Sequence, residues 1–127
     1  MRVLVFGTFD HLHPGHHFVF EQACKRGDVY VVVARDATVE RIKGHTPDQS
    51  EANRAQAIRA AYPEAHVVLG DAGDYLKPVR SIAPDLILLW YDQKLPPGVQ
   101  EDDLQCPIER LSAFKPERHK SSLRRRK

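Results

Sequence analysis

The residues best equipped for chemistry stand together near the start of the chain: Gly7-Thr8-Phe9-Asp10-His11-Leu12-His13-Pro14-Gly15-His16. A glycine directly after an apolar run lets backbone approach a ligand closely. Pro14 suits the first turn of a helix, and a helix N-terminus offers free N–H groups and the positive end of a dipole to an anion. His13 and His16 are three residues apart, so at a helix start they share a face. The combination suits binding and neutralising phosphate. Four histidines lie within seven residues, His11, His13, His16 and His17, and a metal site is the first alternative. Cysteine or carboxylate ligands at metal spacing do not accompany them, so no metal is assigned. A solvated polar loop is the second alternative. His13 and His16 carry the expectation; His11 and His17 are read as incidental.

Such a loop needs a strand before it and a helix after it. Residues 2–6 and 29–34 are β-branched and nearly continuous in apolar character, as strands buried on both faces are. Residues 66–69 and 85–89 repeat that character, and residues 107–111 suit an edge strand. Between them, residues 14–26 start with proline and stop before Gly27. Phe18, Val19, Phe20, Ala23 and Cys24 of that segment are expected to face a sheet. Residues 50–61 open with a capping serine, residues 74–82 form a third helix with Pro78 in its first turns, and residues 37–42 suit a short helix. Residues 94–105 read as an exposed loop. Strands alternating with helices predict an α/β fold, a Rossmann-like, doubly wound parallel sheet of about five strands in one domain. Ligands then bind beyond the strand carboxyl ends, at residues 7–16, 35–43, 70–74 and 90–94.

Residues 7–16, GTFDHLHPGH, resemble the signature of the HxGH nucleotidylyltransferase superfamily, in the GTFDxxHxGH form of its cytidylyltransferase-like branch. That branch includes glycerol-3-phosphate and choline-phosphate cytidylyltransferases and archaeal FAD synthases. The likeness continues through Val33-Ala34-Arg35-Asp36, Thr38 and Lys43-Gly44, similar to the VARDxTVxxxKG stretch of archaeal FAD synthases. It implies that His13, His16 and Lys43 are catalytic, with Lys43 on the nucleotide phosphates. Gly7, Thr8, Phe9, Asp10 and Gly15 would bind nucleotide, Asp10 by orienting a histidine or water; a helix cap is its alternative role. Asp36 and Arg54 would face the acceptor, with an ordinary exposed Glu51–Arg54 charge pair as the alternative. Tyr91-Asp92-Gln93 is similar to the GYDQ element near base and ribose, with Trp90 where the family has glycine. A bulky residue there would narrow the base pocket or redirect the loop. Ser121, Ser122 and Arg126 resemble a phosphate-cradling SSTxxR element, with Leu123 in place of its threonine.

The reaction implied is in-line attack by an acceptor phosphate oxygen on the α-phosphorus of an NTP. Positioning and charge neutralisation carry such a transfer, without a covalent enzyme intermediate. Mg²⁺ would ride on the triphosphate with few protein ligands. The resemblance favours ATP and FMN, an FMN adenylyltransferase. CTP with glycerol 3-phosphate or another phosphorylated alcohol or sugar is the alternative, and a nucleotide-binding protein without catalysis is the alternative from another class. Family members are commonly homodimers.

The bulk numbers agree with a small enzyme. The 127 residues, 42% hydrophobic and 28% charged, fit one domain, 1–127, ending in a basic segment, 115–127. Net charge is +2 and the pI about 8.6, so although the tail suits polyphosphate or nucleic acid, no nucleic-acid partner is expected. No stretch approaches the roughly 20 apolar residues of a membrane span, and the N-terminus lacks a signal-peptide pattern. Cys24 and Cys106 read as free thiols. A cytoplasmic protein is expected.

Overall fold

Runs of valine, leucine and isoleucine too short for helices become strands, and the Pro-, Ser- and Gly-punctuated stretches between them become helices. The computed structural model describes residues 1–112. In order these form β1 (Arg2–Gly7), α1 (Pro14–Arg26), β2 (Asp28–Val33), α2 (Asp36–Lys43), α3 (Glu51–Ala61), β3 (His66–Leu69), α4 (Lys77–Ile82), β4 (Leu86–Leu89), α5 (Glu101–Leu104) and β5 (Ile108–Arg110). The strands make one parallel sheet in the order β3-β2-β1-β4-β5. β1 is central, with Val5 opposite Val31 of β2 on one side and Leu88 of β4 on the other. The chain winds outward from β1 to β3, then returns past β1 to β4. The switch point, where a crevice forms, is therefore at the carboxyl ends of β1 and β4.

Alternation along the strands sends side chains to two faces. Val3, Val5, Val29, Val31, Val33 and Leu88 pack with Val19, Phe20 and Ala23 of α1 and with Ala55 and Ile58 of α3. On the other face Leu4, Ile87 and Leu89 meet Leu104, with Phe6, Val32, Leu76 and Val79 around them. This is the doubly wound, Rossmann-like arrangement that the alternation predicts. Among the described residues no helix is long and apolar enough to cross a membrane.

Local chemistry sets the element ends. Pro14 opens α1, Ser50 Oγ accepts from Asn53 N to cap α3, and α2 stops at Gly44 in the left-handed region, φ 83°. Three details differ from expectation. The helix expected from residue 74 begins at Lys77, because Asp71 Oδ2 accepts from the N–H groups of Gly73 and Asp74, and Asp74 Oδ1 from that of Leu76. These side-chain bonds compete with the helical ladder. The expected loop at 94–105 contains α5, whose first turn is closed by reciprocal Gln100 and Asp103 bonds. Cys24 is exposed instead of facing the sheet; it and Cys106 are free thiols.

Candidate active site

Between β1 and α1 the chain makes a tight turn in which two non-glycine residues, Phe9 (φ 54°) and His11 (φ 58°), take left-handed backbone. Such conformations cost on the order of 1–3 kcal/mol each and persist only where surroundings enforce them. Here the enforcement comes from the α2–α3 connection. Asp10 accepts from Asp48 N at 2.8 Å and Gln49 N at 3.0 Å. Gln49 Oε1 accepts from His11 N at 3.0 Å, and His11 Nε2 lies 3.1 Å from Asp48 Oδ2. Burial opposes ionisation of Asp10, but the Asp48 and Gln49 N–H groups, with His11 and Arg54, outweigh it and hold the carboxyl below the usual carboxylate range. The ligating atoms of Asp10, His11 and Asp48 lie within 4.8 Å of one another, a proximity that these loop ties account for.

Arg54 is the second clamp. It is 0% exposed, and its guanidinium donates to Thr8 O (2.8 Å), Gln49 O (3.0 Å) and Asp36 Oδ1 (2.6 Å). A buried cation is tolerated only with its donors matched, and these acceptors come from three separate segments. This corrects the expectation that Arg54 faces the acceptor, since it has no surface to offer a ligand; Asp36, its partner, is partly exposed. Nor do Glu51 and Arg54 form an exposed pair. Glu51 accepts from Asp36 N at 2.8 Å and Arg35 Nη1 at 2.9 Å, which caps α2 from α3. Asp10 ties the loop and does not cap α1.

The held loop presents His13 as the N-cap residue of α1 and His16 on its first turn. Their rings stack, centroids 3.7 Å apart and planes 20° from parallel. His13 is exposed and His16 half-buried, against the edges of Phe9 (5.4 Å) and Trp90 (6.0 Å). Burial first, then His13 and His17, press the His16 pKa down to about 4, so its ring is neutral at ordinary pH. His16 Nδ1 is buried with no hydrogen-bond partner among the described residues. His17 is engaged elsewhere, Nδ1 2.5 Å from Tyr62 Oη. Lys43, at the end of α2, reaches over the loop to Thr8 Oγ1 at 3.3 Å.

Gly7, Thr8, Phe9, Asp10, His13, His16, Lys43, Asp92 and Gln93 line one cleft of about 810 Å³ at the carboxyl end of the sheet. The structure thus brings together most of the residues expected at the site, from the ends of β1, α2 and β4. Gly15 is buried under Trp90, and Tyr91 is exposed beside that ring without lining the cleft. The Gln93 amide is occupied: Nε2 donates to Phe6 O at 2.7 Å and Oε1 accepts from Trp90 N at 3.0 Å. Ser121, Ser122, Arg126 and Leu123 lie outside the described residues.

Residues 4–106 match the cytidylyltransferase-like family. The chain belongs to this family. It is 42% identical over 107 residues to the FAD synthase of Methanohalophilus mahii, covering 82% of this chain and 72% of that protein. With the FAD synthase of Methanospirillum hungatei the identity is 38% over 125 residues, 96% of this chain and 78% of the other. The crystal structure of the lipopolysaccharide core biosynthesis protein from Thermoplasma volcanium superposes with a TM-score of 0.79 at 35% identity, covering 91% of this chain and 98% of that one. The protein is accordingly a nucleotidyltransferase.

Several residues that line or shape the cleft were not singled out as site residues from the sequence, although Arg35 and Thr38 lie in the stretch that carries the likeness. Arg35 lines the cleft with its guanidinium fixed by Gly70 O (2.7 Å) and Glu51. Arg110 of β5 donates to Trp90 O (3.0 Å) and Gln93 O (2.7 Å) and so shapes the turn after β4. Thr38, 7% exposed, lines the cleft with a hydroxyl that has no partner among the described residues. The same cleft also has an apolar floor, lined by Phe6, Val32, Val39, Leu76, Val79 and Leu95. The signal for the floor was present as the even-numbered apolar residues of β1 and β2, which read equally well as closed core.

Proposed function

We propose that the chain is an FMN adenylyltransferase: it transfers the adenylyl group of ATP to the phosphate of FMN, giving FAD and pyrophosphate. The observation that carries this reading is the mixed lining of a single cleft, in which His13, His16, Lys43 and Thr8 occur together with the apolar Phe6, Val32, Val39, Leu76, Val79 and Leu95. A phosphate-bearing acceptor with a flat, largely apolar ring system matches both kinds of lining. Glycerol 3-phosphate would leave the floor in water. The buried Thr38 hydroxyl gives a ring heteroatom a hydrogen-bond partner in an otherwise apolar wall. The two FAD synthase relatives support the same acceptor.

In this reading an FMN phosphate oxygen attacks the α-phosphorus in line, and the bond from that phosphorus to the bridging oxygen of pyrophosphate breaks. Neutral His16 and its stacked partner His13 donate N–H groups to phosphate oxygens, and Lys43 supplies positive charge. The exposed carboxylate of Asp92 in the same cleft would suit a hard cation such as Mg²⁺ carried by the triphosphate, which would supply charge neutralisation. The family name favours a second reading, CTP with glycerol 3-phosphate.

Pyrophosphate release is to be measured with Mg²⁺, crossing ATP and CTP with FMN, glycerol 3-phosphate and choline phosphate. Turnover is expected with ATP and FMN, and His16→Ala should lower kcat by about 10²- to 10³-fold, the scale for losing one transition-state donor. Turnover confined to CTP and a phospho-alcohol would sink the FMN reading and leave the histidine chemistry standing.

A further inference from the structure

Trp90 follows β4 in the position where the resembled GYDQ element carries glycine, and its ring occupies the corner between His13, Gly15 and His16. Its edge approaches His13 at 6.2 Å, 84° from parallel, and His16 at 6.0 Å, 66° from parallel. It also fills the space beside Gly15 so closely that a Cβ there would run into the indole. The backbone that carries the ring is tied down. Trp90 N donates to Gln93 Oε1, while Trp90 O accepts from Gln93 N and Arg110 Nη1. Gln93 Nε2 in turn is bonded to Phe6 O at the end of β1.

We propose that Trp90 is a positioning residue for the phosphate-handling histidines: it seals the Gly15 corner against water, holds the His13–His16 stack in register and walls the His16 imidazole off from solvent. This rests on the reading that these histidines meet phosphate, and it adds what keeps them fit to do so. Two imidazoles 3.7 Å apart cannot both be cations without strong repulsion. His16 is the buried member of the stack, and burial favours its neutral form. His16 is walled by Phe9, His13 and Trp90, and of these only Trp90 comes from outside the β1–α1 segment.

Among the described residues the charged and titratable groups that share the cleft with His16 include Arg35 after β2, His45 after α2, Asp71 after β3 and Lys94 after β4. On α1 and its cap they are His13 and His17, the latter joined to Tyr62 of α3. From the β1–α1 loop there is Asp10, whose carboxylate is taken by the Asp48 and Gln49 N–H groups. From α2 comes Lys43, and from the turn after β4 Asp92, both lining the same cleft. Among the described residues no carboxylate hydrogen-bonds to the His16 ring, so nothing offsets the burial that Trp90 contributes. A neutral His16 donates one N–H to a phosphate oxygen without adding a charge that would retain pyrophosphate, and Lys43 carries the charge instead.

The test is a histidine-labelled NMR titration of the full chain without substrate, in wild type, Trp90→Gly and Trp90→Phe, with His16→Gln to assign the resonance. In wild type His16 should stay neutral until the pH nears 4. In Trp90→Gly its midpoint should rise by more than about one pH unit towards the ordinary 6.5, and Trp90→Phe should restore most of the wild-type value. The acid limb of kcat/KM for pyrophosphate release should move by the same amount, with kcat falling more than KM rises. An unchanged His16 midpoint in folded Trp90→Gly overturns the proposal, as does a Trp90→Phe midpoint equal to that of Trp90→Gly. Should Trp90→Gly not fold, Trp90→Leu takes its place, with a shift of the same sign required. The titration needs no acceptor, so a wild type inactive on FMN but showing the shift would break the FMN reading alone.

Discussion

The two faces of the sheet are built from the same strands and are equally apolar in sequence, yet they are finished differently. On the α1–α3 side Val31, Val33 and Ile58 have no exposed surface and Phe20 has 1%. On the other side α4 and α5 are short, and Phe6, Val32, Leu76 and Val79 are only partly covered. Val68, on β3, is 41% exposed. A closed face removes apolar area from water and stabilises the fold. An open one leaves part of that area for a ligand to cover, in the same cleft as His13 and His16. Removing volume from the first should therefore cost stability, and removing it from the second should cost substrate.

The largest effect belongs to the closed face. Phe20→Ala should lower unfolding free energy by about 3–5 kcal/mol in urea titration, with the KM for FMN unchanged in whatever fraction stays folded. Its counterpart, Val79→Ala, should cost only about 1 kcal/mol because the side chain is already partly exposed, yet raise that KM several-fold. Equal stability losses in the two variants, with no change in KM, would erase the distinction between the faces. Between them in size stands Arg54→Met, which keeps the bulk and removes the donors. It strands Thr8 O and Gln49 O and frees the strained loop, so a loss of about 3 kcal/mol is expected, at the lower end for breaking a buried pair because Asp36 is partly exposed. Turnover should fall with it, since His13 and His16 ride on that loop. An Arg54→Met protein with wild-type stability and a raised KM alone would restore the acceptor role that burial argues against.

What the sequence could and could not convey follows from the same contrast. β3 was readable to the residue, and α1 from Pro14 to Arg26, because proline, glycine and β-branched runs act locally. The stacking partners His13 and His16 were readable because a spacing of three at a helix start decides their geometry. Arg54 was not, because its burial depends on acceptors from residues 8, 36 and 49 converging on it, and an arginine on a helix otherwise reads as exposed. Trp90 stood out as a misfit in a motif, but its place against Gly15 depends on β4 lying beside β1, which is a property of the sheet order. The open face escaped entirely, since a strand residue covered by a helix and one covered by a ligand look alike in sequence.

The smallest effect tests how firmly the closed face is sealed at its edge. Arg26 of α1 donates to both carboxylate oxygens of Glu109 on the edge strand β5. The side chains are 26% and 42% exposed, so screening limits the pair and Glu109→Gln should cost less than about 1 kcal/mol near neutral pH. Its signature lies in the pH dependence. The hydrogen bond from Arg26 holds the Glu109 carboxyl below its ordinary 4.5. The stability it contributes is therefore complete above that value and is lost as pH falls through the lower, folded-state value. His16 acts in a separate window: its folded pKa of about 4 lies below the ordinary 6.5, so the unfolded chain takes up the proton first and stability declines as pH falls from 6.5 towards 4. Urea titrations from pH 7 to 3 should show Glu109→Gln reducing the slope below about 4.5 while the decline above 4 persists. A variant that flattened the upper window instead would mean that the edge pair, and not the histidine corner, governs how this fold responds to acid.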